Sequence, residues 1–232
     1  MSENILQKQN YIKRYLNSIK SAVSNLIAQN RLLFFLYVLS VILGITAGCV
    51  TYFISDKDSV NKIFSYMQNY FTGSVLVGVS FPEIFKSILI ENLKLTLVLF
   101  ISSLSVFLCP LSFIRLFSKG FGIGLTATFF LTRYMIKGII FSALSVFICN
   151  VIVIPAIVLF AVYNTAESIK VFRQSKKSKF NNSVSKQNYL RFLLRCTASA
   201  VMLFVIFVIS ALIQGFVCPG TMRIFYMLIS GN

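Results

Sequence analysis

The sequence contains no histidine and no tryptophan, and only 6 of its 232 residues are acidic. Without histidine, a Ser-His-Asp or Cys-His catalytic arrangement is impossible, and the commonest metal ligand is missing. The six acids do not form pairs inside an apolar run, so the sequence also argues against intramembrane aspartate catalysis. We therefore expect a protein that is not an enzyme, with no cofactor and no metal site.

Charged residues of either sign are scarce. They make up 12% of the chain, and hydrophobic residues make up 57%, whereas a soluble domain carries about 25% charged residues. The mean hydropathy of +0.82 predicts an all-α polytopic membrane bundle. The net charge of +16 comes from basic residues beside the apolar runs, as membrane orientation requires. The expected partner is the lipid bilayer, and not nucleic acid.

Five intervals without charged residues mark the candidate spans. A helix that crosses about 30 Å of hydrocarbon needs roughly 20 residues, and four intervals reach that length. The remaining interval, 120–132, is shorter and predicts a short third span. The predicted segments are a cytoplasmic amphipathic basic leader (1–31), a first span (32–55), an extracytoplasmic amphipathic loop (56–92), a second span (95–114), a hairpin of the third and fourth spans (120–166), a basic cytoplasmic loop (167–195), and a fifth span (196–222) with an outer tail to residue 232.

About five transmembrane helices are predicted, and the distribution of basic residues predicts their orientation. With the N-terminus inside and the C-terminus outside, 15 of the 22 lysines and arginines lie on the inner side, as the positive-inside rule requires. A re-entrant element in 120–166 with no net crossing is the alternative. The leader is expected to form a helix on the inner membrane surface, and the alternative is a solvated segment.

Glycines in two of the spans are candidate packing residues. Gly44 and Gly48 form a GxxxG pair, which allows helices to approach closely. Gly120, Gly122 and Gly124 are two residues apart, and they predict a tight entry to the third span and close backbone contact rather than one helix face. Gly138 follows a lysine in the same way and is expected to begin the fourth span.

Asparagine and proline interrupt the fourth span at Asn150 and Pro155. Proline removes a backbone donor and clashes with the preceding turn, so this span is predicted to be kinked near Val151. The side-chain amide of Asn150 can bind a neighbouring helix. The pair predicts a bent, packed helix, and the alternative is a polar element that faces a substrate path.

The loop 56–92 is too short to bury an enzyme's core. It can offer an amphipathic surface, and one apolar face of a predicted helix in it is the expected partner-binding site. That face consists of Ile63, Phe64, Met67 and Phe71.

The order of these features resembles the stage II sporulation protein M family. The resemblance extends over nearly the whole chain and includes Lys119-Gly120-Phe121-Gly122-Ile123-Gly124, Lys137-Gly138, and Asn150 followed by Pro155. It implies a multipass protein of the bacterial cell membrane that acts at the sporulation septum during engulfment. The implied partners are stage II sporulation proteins D and P, which degrade peptidoglycan. The expected function is therefore a non-enzymatic scaffold, with a transporter or channel subunit as the alternative. The oligomeric state is left open.

Overall fold

The structure is a computed structural model that describes residues 2–56, 58, 61–62, 65, 81–143, 148–177 and 182–230. Within these ranges it contains helices and short turns and no strand, which confirms the all-α polytopic bundle. The helices are α1 (Ser2–Gln29), α2 (Arg31–Ile54), α3 (Phe81–Ser103), a 3-10 turn (Val106–Leu108), α4 (Cys109–Ser142), α5 (Ile148–Lys177) and α6 (Asn182–Ser230).

Four helical segments of the described chain are long and apolar enough to cross a membrane. Helix α3 is not one of them, since it carries Lys86, Glu91 and Lys94. Large apolar side chains lie on the outside of the bundle, as contact with lipid requires; Leu32, Phe53 and Phe216, for example, are more than 70% exposed. The four segments are Arg31–Ile54, Val106–Gly138, Asn150–Gln174 and Tyr189–Phe216.

Helices α2 and α4 run in the same direction. The hydroxyl of Ser40 donates to the carbonyl oxygen of Phe113 at 3.0 Å, and the thiol of Cys49 donates to that of Gly124 at 3.6 Å. Residue numbers therefore increase together along both helices. The chain between α2 and α4 has to return along the bundle, and α3 is the helix that makes this return. Five helices, α2 to α6, thus form the bundle.

The predicted second span, 95–114, is not one helix. Helix α3 ends at Ser103, and after a short turn α4 begins at Cys109. Arg115 and Lys119, expected in an inner loop, lie inside α4. The third helix is therefore not short, and the charge-based boundaries were wrong because these two half-buried side chains line a pocket beside α3 instead of ending a span.

The backbone of α4 bends sharply at Met135, which has φ 50° and ψ −127°. This left-handed conformation is uncommon for a residue with a side chain. Beyond the bend, Gly138 lies so close to the carbonyl oxygen of Phe130 that a Cβ atom would collide with it. A second helical segment thus begins at the bend, close to Gly138, where the fourth span was predicted to begin, and Gly138 permits this close approach.

The buried core lies where α2, α3, α4, α5 and α6 meet. Leu99, Leu116, Val162 and Phe207 are at most 2% exposed. The predicted helical leader is present as α1, and its Leu26 packs against this core. The position of the rest of α1 on the membrane surface stays a prediction.

Candidate functional site

Four glycines form the contact between α2 and α4. Gly44 and Gly48 of α2 face Gly120 and Gly124 of α4, and each glycine leaves room for the backbone of the opposite helix. A Cβ atom at any of the four would collide with a carbonyl oxygen. The oxygens belong, in the same order, to Phe117, Phe121, Val41 and Ile45.

The predicted tight entry at Gly120, Gly122 and Gly124 is wrong, because α4 already begins at Cys109. The close backbone contact predicted for these glycines is present at Gly120 and Gly124. Gly120 and Gly124 are four residues apart and share the face that meets α2. Gly122 lies on another face, where an added Cβ would have no heavy atom within 4 Å. The GxxxG pattern of the first span thus has a matching GxxxG in α4.

Tyr37 joins three helices in the middle of the core. Its side chain is completely buried, and its hydroxyl lies 2.7 Å from the hydroxyls of both Ser112 in α4 and Thr165 in α5. Its ring stacks on Phe113 with the ring centroids 4.0 Å apart. This hydroxyl cluster satisfies polar groups that would be costly to bury alone.

Further polar contacts join the helices at the end of the bundle where α2 begins. The hydroxyl of Ser199 in α6 donates to Oδ1 of Asn164 in α5 at 3.0 Å, and the Asn164 amide donates to the carbonyl of Phe160. The hydroxyl of Ser168 in α5 donates to the carbonyl oxygen of Ser103, the last residue of α3. A part-buried hydrogen bond therefore links α5 to α6, and a buried one links α5 to α3.

An ion-pair cluster lies at the same end. The Glu167 carboxylate is 2.8 Å from Nζ of Lys170 in its own helix and 3.1 Å from Nη1 of Arg195 in α6. The Glu167 side chain is only 12% exposed. The sequence placed Glu167 in an inner loop, whereas it lies inside α5 and joins it to α6.

Removal of the Tyr37 hydroxyl tests the three-helix cluster. We expect Tyr37→Phe to lower the free energy of unfolding by about 1–2 kcal/mol, because the hydroxyls of Ser112 and Thr165 lose their common partner. Thermal unfolding of the protein in detergent measures the effect. Tyr52→Phe is the matched control, since the Tyr52 ring makes edge contacts with the rings of Phe53 and Phe129. An equal loss of stability in the two variants would contradict the role of the cluster.

The predicted polar interruption of the fourth span lies near the start of α5. Asn150 is partly buried and Pro155 is exposed within the helix. The kink at Pro155 stays a prediction. The residues that bind neighbouring helices are further along α5, at Asn164, Thr165 and Ser168, where small polar residues follow one another in the sequence. The predicted partner-binding residues, Ile63, Phe64, Met67 and Phe71, lie outside the described residues.

A charged pocket between α3 and α4 was not expected from the sequence. Its volume is about 280 Å³, and it combines three cations, one carboxylate and a buried amide. Nothing in the local sequence pattern predicts it, because the two contributing segments were assigned to opposite sides of the membrane. The lining residues are Glu91, Asn92, Lys94 and Leu95 of α3 and Arg115, Ser118 and Lys119 of α4.

The remaining chemistry of the described chain is limited. Cys109 and Cys196 are free thiols buried in the bundle, and no group of three potential metal ligands comes together in the described ranges. The hydroxyl and amide groups at the end of the bundle where α2 begins are hydrogen-bonded to one another or to backbone. Their arrangement fastens helices together.

Comparison with known families agrees with this architecture. The family model for stage II sporulation protein M matches residues 32–219, a range that begins at the first membrane helix and includes α2 to α5 and most of α6. The chain matches no curated protein and no solved structure. Because the match extends over far more than half of the chain, this sporulation-related, multipass membrane protein belongs to the stage II sporulation protein M family.

Proposed function

We propose that this protein is a non-enzymatic membrane scaffold that holds peptidoglycan-degrading proteins at the sporulation septum during engulfment. The proposed partners are stage II sporulation proteins D and P, and the proposed contact is the apolar face of the outer loop, Ile63, Phe64, Met67 and Phe71. The observation that carries the proposal is the membership of the family over residues 32–219.

The organisation of the polar residues supports a scaffold. The Tyr37 cluster and the Asn164–Ser199 hydrogen bond join helices that are far apart in sequence, and the paired glycines bring α2 and α4 into backbone contact. Such contacts make a bundle rigid. A rigid bundle can hold an outer loop at a fixed place above the membrane.

A transport subunit is the second candidate, and the charged pocket is the observation that favours it. Transporters place polar groups at the depth of the bilayer midplane. The sequence offered Asn150 for this role, and the structure adds a separate polar group of residues that includes Arg115 and Lys119. A transport subunit would give anion flux in reconstituted vesicles, whereas a scaffold would not.

Charged substitutions in the outer loop test the scaffold. We expect Ile63→Asp combined with Phe71→Asp to abolish co-purification of the two peptidoglycan-degrading partners, because an apolar contact cannot accommodate buried, unpaired carboxylates. Co-purification from solubilised membranes of sporulating cells is the measurement. Membrane insertion is expected to stay unchanged, because both substitutions lie outside the spans.

The matched control is Ser65→Asp, which adds a carboxylate to the same loop at an exposed position. The scaffold predicts that this variant retains both partners. Normal co-purification with the double Asp variant would show that the apolar face is not the contact.

A further inference from the structure

The charged pocket lies level with the middle of the first membrane helix. Gly120 of α4 contacts the backbone of Val41 and Ile45 in α2, so Lys119 is at nearly the same height as Gly44. At 1.5 Å per residue, this point is about 20 Å along α2 from Arg31, close to the middle of the helix. The pocket is therefore at the depth of hydrocarbon and not of a loop.

Charge at this depth is costly unless it has a partner. A lysine or arginine at the centre of a membrane helix costs about 2.5–3.5 kcal/mol on insertion scales. Lys94, Arg115 and Lys119 all line the pocket, and the one acid there is Glu91. Among the described residues, Glu91 forms no ion pair with any of the three. The pocket therefore carries more positive than negative charge, and a bound anion would offset the excess.

A buried amide in the same pocket also lacks a partner. Asn92 is 5% exposed, and its side-chain Nδ2 has no hydrogen-bond acceptor within the described part of the chain. An unsatisfied buried donor costs about 1–3 kcal/mol. The Asn92 amide nitrogen and the three cations are hydrogen-bond donors at the same cavity, where acceptors are provided by Glu91, by the amide oxygen of Asn92 and by the hydroxyl of Ser118.

We propose that this pocket binds a phosphate oxyanion, either on the headgroup of an anionic lipid or as free phosphate. The guanidinium of Arg115 is suited to bind two phosphate oxygens at once, and a lysine acts as a point charge beside them. Basic pockets between membrane helices hold anionic headgroups near the cytoplasmic face. At the greater depth of this pocket, the cations have to replace the water that surrounds a phosphate at the interface. The carboxylate of Glu91 can accept a hydrogen bond from a hydroxyl of the ligand.

The shape of the pocket fits a small group that enters from the side. Its volume of about 280 Å³ is slightly below the range of drug-sized ligand pockets, which begins at about 300 Å³, and is suited to a small group such as a phosphate. Glu91, Lys94 and Ser118 are exposed at its rim, so the pocket opens on the outer surface of the bundle. A ligand can therefore enter the pocket from this side without passing between the buried helices. This site does not depend on the proposed scaffold function.

Binding by the full-length protein tests the site. We expect native mass spectrometry after extraction from vesicles of equal phosphatidylglycerol and phosphatidylcholine to show retained phosphatidylglycerol. Arg115→Gln combined with Lys119→Gln is expected to lower the retention at least tenfold. In parallel, radiolabelled inorganic phosphate is offered to the protein in detergent free of phospholipid. Binding of phosphate with no preference for phosphatidylglycerol would identify free phosphate as the source.

The matched control is Lys20→Gln combined with Arg173→Gln, which removes the same charge at exposed positions and is expected to retain the ligand. Asn92→Leu provides a test without change of charge, and we expect it to weaken binding as well. Circular dichroism establishes that each variant is folded. The proposal is overturned if the unmodified protein retains neither ligand, or if the control variant loses as much ligand as the pocket variant.

Discussion

Replacement of Gly44 by leucine is expected to prevent α2 from packing against α4. A Cβ atom alone would collide with the carbonyl oxygen of Phe117 and lie 3.0 Å from the amide nitrogen of Phe121. Both atoms belong to backbone inside a helix, so they cannot move aside as a flexible side chain would. Overpacking of a close-packed interior costs about 1–3 kcal/mol, and we expect the upper end of that range or complete loss of the folded protein. Thermal unfolding in detergent and the yield of monodisperse protein measure the effect.

Gly122→Leu is the matched control for this prediction. It makes the same substitution in the other helix of the contact, at a glycine with no heavy atom within 4 Å of the added Cβ. Leucine also favours a helix over glycine by nearly 1 kcal/mol. We expect this variant to be as stable as the original protein or more stable. If Gly44→Leu unfolds at the same temperature as Gly122→Leu, the close approach of α2 and α4 is absent.

The class of the fold follows from the sequence, because hydrocarbon imposes a length and a composition on every helix that crosses it. The residues at which α3 ends and α4 begins could not be predicted from the sequence. The actual turn, at Leu104 and Ser105, is uncharged, whereas Arg115 and Lys119 lie inside a helix. A charged residue marks the end of a span only when its side chain reaches water, and these two line a pocket with residues from a neighbouring helix. One local signal was present: Pro110 lies in the first turn of α4, where proline is favoured.

The sequence indicated only one of the two glycine pairs that form the contact between α2 and α4. Gly44 and Gly48 were recognised by their spacing, but Gly122 concealed the equal spacing of Gly120 and Gly124. The Tyr37 cluster had no sequence signal at all. Its members are separated by 75 and 128 residues, and each one alone is an ordinary polar residue in a membrane helix. Contacts of this kind depend on the relative register of three helices, which no local periodicity specifies.

Reversal of the charge at Glu167 is expected to separate the ends of α5 and α6. Glu167→Lys would place a third cation between Lys170 and Arg195, which now lie 2.8 and 3.1 Å from the carboxylate. Loss of one partner from a fully buried ion pair costs about 3–5 kcal/mol, and an exposed pair contributes at most about 1 kcal/mol. The carboxylate is 12% exposed and its two partners are more than half exposed, so we expect a loss of about 2 kcal/mol in the free energy of unfolding.

A second substitution separates the ion pair from a general effect of added charge. Arg195→Glu in the Glu167→Lys background restores opposite charges between α5 and α6, and we expect it to recover about half of the lost stability; Lys170 remains beside a like charge. Asp56→Lys makes the same change of charge at an exposed position and is expected to change stability by less than about 0.5 kcal/mol. Equal losses from Glu167→Lys and Asp56→Lys, with no recovery in the double variant, would mean that net charge and not this contact governs stability. Recovery of stability in the double variant would show that the charge pair between residues 167 and 195 attaches α6 to α5.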